Sequence, residues 1–262
     1  MIKSIQYIGA KTIEHLEHLG SLTLFLLQVL RRMLMPPLRY RALLQQLHFI
    51  GAKSTFVIVL ASLTVGLVLG LRLYFEFEQF GVTDRLGSVV ALSMITEMGP
   101  VFTALLVIGR AGSAMCAEVG IMRSDEQLDA LECMAIDPYK FLMVPKFWAT
   151  LISVPILVAI ADIVGIFGGY LASVVMFDVP SGAYIQSMNG SIGWYELNMG
   201  LIKSVVFALI IVWIATGKGF LLHLDKNGAY GAEGVSRITT QAVVMASVLV
   251  LFADYLISAF MV

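Results

Sequence analysis

Four ionisable residues stand inside long apolar runs of this sequence: Glu97, Asp162, Lys203 and Asp254. At mid-bilayer depth each costs about 2.5–3.5 kcal/mol on insertion scales, so each should face protein or water and have a partner or a task. Lys203 in "LIKSVVFA" and Asp254 in "LFADYL" fall at nearly the same depth. That predicts a structural clamp between them, with Asp162 as the second choice of partner. Glu97 differs because Gly99 and Pro100 follow it. Proline has no N–H to donate, so carbonyls near residue 96 are freed and the helix loosens beside the carboxylate. Such a site suits a ligand-lined cavity; a buried structural carboxylate is the competing reading.

A second concentration of charge lies in "CAEVGIMRSDEQLDALECMAIDP", residues 116–138. Six of the 18 acidic residues fall between Glu118 and Asp137, with one base, Arg123, among them. Ser124 followed by Gln127 resembles a capping box, so the spacing predicts a short helix from Asp125 within about residues 124–137. Pro138 should stop it near Asp137. Asp125 and Glu126 occupy its first turn, where negative charge suits the helix dipole. Leu128, Leu131 and Ala135 share one side; Asp125, Asp129 and Glu132 share another. The apolar stripe either packs on the protein's own membrane-proximal surface or docks to a separate cytoplasmic protein, and the pattern leaves both open. Just upstream, "GRAGSAMCAEVG" surrounds Arg110 and Glu118 with small residues. The two are expected to pair and lock a bend near the membrane surface.

The elements holding these groups follow from composition. Of 262 residues, 59% are hydrophobic and 13% charged, against about a quarter charged in a soluble domain. The chain is an all-α integral membrane protein. Spans of about 20 apolar residues are read at about 49–73, 86–108, 147–175, 197–215 and 238 to the C-terminus. Residues 1–45 are read as an interfacial amphipathic helix with a basic connector, broken at Pro36 and Pro37, with an ordinary amphipathic packing helix as the equal alternative, and 46–262 as a five-helix domain. Ser62, Gly66 and Gly70 form a small-residue stripe that admits a close helix crossing. Tyr74, Phe77 and Phe80 form an aromatic one.

Lys and Arg number seven in the first 53 residues, four in 110–146 and three in 218–237. The positive-inside rule therefore puts the N-terminus and the acidic segment in the cytoplasm and the C-terminus outside. No cleavable signal peptide is expected. Cys116 and Cys133 read as reduced thiols without a redox role.

No phosphate-binding G-x-x-x-x-G-K-[ST] occurs; "GAKS" at 51–54 and "GLIKS" at 200–204 lack the pattern. The four histidines, His15, His18, His48 and His223, show no metal-ligand spacing, and no nucleophile–base motif is present. No catalysis, metal, cofactor or nucleic-acid partner is expected of this chain. A stand-alone channel or secondary transporter is the alternative class, disfavoured by the absence of a repeat or a connected polar pathway. An intramembrane enzyme acting on lipid is a more distant one.

The run "EMGPVFTALLVIGRAGSAMCAEVGIMRSDEQLDALECMAIDP", with "LIKSVVFA" and "GVSRITTQAVV" further on, closely resembles the MlaE permeases, membrane subunits of MCE-type phospholipid ABC transporters of the Gram-negative inner membrane. The resemblance covers essentially the whole chain. It implies a homodimer, a cytoplasmic ABC ATPase that binds ATP and magnesium, a STAS-domain subunit on that ATPase, and a periplasmic MCE-domain ring. It implies phospholipid held in an outward-open cavity between protomers, lined by Leu69, Phe77, Phe80, Glu97 and Met98, and a role in outer-membrane lipid asymmetry. It also implies that the acidic helix (Asp125, Glu126, Leu128, Asp129, Leu131, Glu132) couples to the ATPase. Some relatives carry a base just before the glutamate; here that position is Thr96, which puts headgroup preference in doubt.

Overall fold

The computed structural model describes residues 2–34, 39–224 and 231–261. Pro36, Pro37 and Lys226 lie outside the described residues, as do the side chains of Ile5, Ile8, Lys11, Ile13, Glu14, His15 and His18. The described residues form helices and turns without strands: α1 (Ile2–Met33), α2 (Tyr40–Phe80), α3 (Thr83–Ser124), α4 (Gln127–Cys133), α5 (Tyr139–Met176), α6 (Ser181–Ser191), α7 (Trp194–Phe220) and α8 (Ala232–Met261). Five of them, α2, α3, α5, α7 and α8, are long and apolar enough to cross a membrane. Each contains one of the expected spans and extends beyond it, because helical hydrogen bonding continues past the bilayer edge where hydropathy no longer reports it. The α4 end of the bundle gathers the ends of α3 and α7 with the starts of α2, α5 and α8; α6 caps the opposite end.

The tightest crossing is between α2 and α5. Ser54, Ile58, Ser62, Gly66 and Gly70 form one buried stripe at every fourth residue of α2. A Cβ on Gly66 would stand 1.9 Å from the Gly165 carbonyl oxygen, and one on Gly70 would stand 2.8 Å from that of Gly169. Small residues are therefore what lets these two backbones touch. At its far end α2 stops at Gly81, whose φ of 66° closes the helix with Gly81 N–H donating to Glu78 and Val82 N–H to Phe77.

Helix α1 buries Leu22, Phe25, Val29 and Met33 along one face while Leu19, Leu24 and Leu27 stay exposed. Trp213 Nε1 on α7 donates to the Leu22 carbonyl at 2.8 Å. Phe25 packs with Tyr139 and Phe220 at centroid distances of 5.7 and 5.3 Å. Arg32 pairs with Asp137 and covers the Tyr139 ring. The last turns of α1 are thus fastened to the start of α5 beside α4.

The expected Arg110–Glu118 pair does not form. Helix α3 continues through both positions, with a π-helical turn at Ile108–Gly112, and eight residues separate them by about 12 Å of helix rise. Arg110 instead donates to the Phe49 carbonyl at 2.9 Å and to Ser54 Oγ at 2.7 Å, holding the start of the α2 span. Glu118 accepts from the fully buried Lys146 of α5 at 2.6 Å.

Candidate functional site

Pro100 sets the local geometry of α3. A helical proline leaves the carbonyl four residues back without a donor, and here that carbonyl belongs to Thr96. Residues Met94–Met98 widen into a π-helical turn, the kind of irregularity that often marks a functional position. Lys203 of α7 fills the vacancy: its Nζ donates to Thr96 O at 2.8 Å and to Glu97 Oε2 at 2.7 Å. Asp254 Oδ1 of α8 stands 2.8 Å from the same nitrogen as an ion contact, with angles that fall short of a hydrogen bond. Glu97 Oε1 accepts from Ser258 Oγ at 3.0 Å.

One buried ammonium therefore joins α3, α7 and α8. Lys203 is fully buried, the Asp254 side chain is 18% exposed and that of Glu97 45% exposed, so the cluster opens on the Glu97 side. Asp162 takes no part. Its carboxylate packs against Gly99, where a Cβ would meet Oδ1 at 1.7 Å. Gly99 lies on roughly the opposite side of α3 from Glu97, being two residues on at about 3.6 residues per turn. Asp162 Oδ1 has no hydrogen-bond partner among the described residues.

Beside the cluster, Thr64, Val65, Val68, Leu69, Arg72, Met98 and Phe102 line a groove of about 350 Å³ between α2 and α3. Of the residues expected at a cavity, Leu69 and Met98 meet here. Phe77 packs instead on the cluster of Leu86, Val179 and Tyr184 under α6, and Phe80 is exposed at the end of α2. Sequence reasoning missed α6. Its signal was weak, for "SGAYIQSMNGS" is mostly polar and small, with Tyr184, Ile185 and Met188 as its large apolar residues and only Tyr184 buried.

At the α4 end the acidic segment is helical over Gln127–Cys133 only. Ser124 ends α3 and does not cap α4; its Oγ accepts the Gly231 N–H at 2.9 Å, tying α3 to the start of α8. Asp125 and Glu126 form the turn, Glu126 with φ 57°. Ala135, also at φ 57°, closes α4 ahead of Pro138, with Ala135 N–H donating to Glu132 and Ile136 N–H to Leu131. Leu128 is buried and Leu131 half-buried, so this part of the apolar stripe packs on the protein itself, while Ala135 is exposed, as are Asp125, Glu126, Asp129 and Glu132. Arg123 reaches both ways: Nη1 donates to Asp129 Oδ1 at 2.6 Å and Nε to His223 Nδ1 at 3.2 Å. Burial, with the Arg123 charge second, pushes the His223 imidazole below its ordinary value. Asp129 thus ties α4 to Arg123 of α3, while Arg123 and Ser124 tie that end of α3 to His223 just past α7 and to the start of α8. Among the described residues no His, Cys, Asp and Glu cluster could hold a metal ion.

The permease family MlaE matches residues 43–260. The chain belongs to the MlaE permease family. It is 38% identical to the intermembrane phospholipid transport system permease protein MlaE of Haemophilus influenzae, over 100% of this chain and 98% of that protein. It is 38% identical to a probable ABC transporter permease protein of Rickettsia felis, over 96% of this chain and 95% of the other. Similarity extends to the chloroplastic protein trigalactosyldiacylglycerol 1 of Arabidopsis thaliana, 34% identical over 89% of this chain and 65% of that one. The chain is a multi-pass membrane permease, and both the opened cluster at Glu97 and the wired helix α4 fall inside the matched region.

Proposed function

We propose that this chain is the non-catalytic membrane subunit of an ABC transporter that moves phospholipid between the inner membrane of a Gram-negative bacterium and a periplasmic MCE-domain carrier. In this reading it serves outer-membrane lipid asymmetry. The observation that carries the reading is the wiring of α4. A short helix and the turn before it carry four exposed acids; Arg123 joins the helix to α3, and Arg123 and Ser124 join that end of α3 to the ends of the helices that also carry the Glu97–Lys203–Asp254 cluster. A push on α4 would therefore pass to α3 and from there to the ends of α7 and α8.

A cytoplasmic ATPase with a basic cleft fits those acids, and it would hold the ATP and magnesium and carry the STAS-domain subunit. Its closure would push α4, and the three helices would narrow or open the space in front of Glu97. That space faces a second copy of the chain in a homodimer, a reading supported by α8, the least buried of the five spans. Leu69, Met98 and Glu97 would then line the lipid cavity, with Phe77 and Phe80 at its outer rim. The N-terminus and α4 would be cytoplasmic and α6 and the C-terminus periplasmic, with α1 lying in the cytoplasmic interface on its exposed leucines.

Charge reversal at an interface rim is costly because like charges are driven together. Glu132→Lys, on an exposed side chain with no packing role, is expected to cut lipid moved per ATP by roughly tenfold while leaving folding and yield unchanged. Reconstituted transport and ATPase assays measure this. Unchanged coupling would remove α4 as the docking element.

A further inference from the structure

Arg72 sits at a defined depth. Between Lys53 and Arg72 helix α2 carries no charged residue, and the two are separated by about 28 Å of helix at about 1.5 Å per residue. That matches the hydrocarbon thickness of about 30 Å, so Lys53 and Arg72 bracket the apolar core and Arg72 lies at phosphate depth in the leaflet on the α6 side. An arginine there could simply reach out to bulk lipid. Its surroundings differ from that. Arg72 is the one charged residue lining the groove formed with Val65, Val68, Leu69, Met98 and Phe102. Among the described residues it forms no ion pair, Glu76 one turn on included. Meanwhile Lys203 is fully buried, donating to Thr96 and Glu97 and standing against Asp254 as an ion contact, and it does not line the groove.

We infer that Arg72 is the phosphate-binding residue of this groove: its guanidinium takes a phospholipid phosphodiester while an acyl chain lies along Leu69, Met98 and Phe102. A guanidinium offers a fork of donors that fits two phosphate oxygens at once. The assignment rests on the lipid-permease reading and adds to it the residue that supplies the cation which Thr96 does not. It also explains how a site beside the half-exposed carboxylate of Glu97 accommodates an anionic phosphate: the two charges are held on different helices, Arg72 on α2 and Glu97 on α3.

The test is native mass spectrometry of the full chain with its co-purifying subunits in mild detergent, titrated with phosphatidylethanolamine or with diacylglycerol of the same chains. Arg72→Gln is expected to weaken phosphatidylethanolamine binding about tenfold, the loss of one charged hydrogen-bond pair. It should leave diacylglycerol binding unchanged, and Arg72→Lys should fall between. Inorganic phosphate at millimolar concentration should not displace the lipid, since the groove supplies the chain's binding energy; displacement would overturn the assignment in favour of a free-phosphate site. Leu69→Trp, which fills the groove, should abolish binding of both lipids. Undiminished phosphatidylethanolamine binding in Arg72→Gln, with Leu69→Trp still defective, overturns the role of Arg72 and leaves the permease reading standing, Arg72 being then an ordinary interfacial anchor. Undiminished binding in both variants overturns the groove as the lipid site altogether.

Discussion

Replacing Lys203 by methionine is expected to unfold a large share of the protein at ordinary growth temperature. The methionine side chain fills similar volume, so packing is conserved, but Glu97 and Asp254 would face each other across the gap left by the ammonium that both contact. Breaking a buried pair from one side costs about 3–5 kcal/mol because the remaining charge is left uncompensated. Here two carboxylates and the Thr96 carbonyl are left. Thermal unfolding in detergent, followed by loss of monodisperse protein, measures the effect. The triple change Lys203→Met, Glu97→Gln, Asp254→Asn should recover much of the lost stability, since neutral amides tolerate the apolar setting. Equal stability of the single variant and the parent would mean that the ammonium is not the tie between α3, α7 and α8.

The second large effect is expected at Gly66. A methyl group there would stand 1.9 Å from the Gly165 carbonyl oxygen and 2.7 Å from its carbon. Backbone cannot swing aside as a flexible side chain can, so Gly66→Ala forces α2 and α5 apart along the whole crossing. Overpacking a core commonly costs about 1–3 kcal/mol, and this position should lie at or above the top of that range. Gly190→Ala, which meets nothing within 4 Å, serves as the control and should be neutral. Folded yield and melting temperature of the two variants provide the comparison; a Gly66→Ala protein as stable as the control would contradict the close crossing.

Much of this arrangement could be read from residue types. The α2 stripe of Ser62, Gly66 and Gly70 indicated a close crossing because only small residues at a four-residue spacing permit one, although its partner on α5 was not identifiable from spacing. Pro100 marked the freed carbonyl at Thr96, since a missing donor is a property of the sequence alone. The depth of Lys203 and Asp254 along their helices put them level. The engagement of Glu97 by the same lysine was not foreseen, because depth along an axis says nothing about rotation, and the π-helical turn at Met94–Met98 shifts that rotation locally.

The same limit explains the misread Arg110–Glu118 pair. Small residues between them suggested a bend, but in α3 they serve contacts with other helices: a Cβ at Gly112 would touch Ile211 of α7 at 3.8 Å. Around α4, the serine–glutamine spacing was read as a helix start, but Ser124 ends α3 and its hydroxyl is taken by the Gly231 N–H. The acidic stripe itself was legible, because charge at helical spacing does not depend on where the turn begins. The groove that holds Leu69, Arg72 and Met98 was only partly so: its walls come from two helices whose register is set by side-chain packing.

The central claim, a permease subunit that carries phospholipid and answers to a separate ATPase, is tested most directly by purifying the tagged chain from its native membrane in mild detergent. Mass spectrometry then identifies the proteins and lipids that come with it. An ABC ATPase, an MCE-domain protein and phospholipid together, with the ATPase depleted when α4 carries Glu132→Lys and the phospholipid depleted when the groove carries Leu69→Trp, is the predicted result. A chain that purifies alone, lipid-free and at full yield would contradict it.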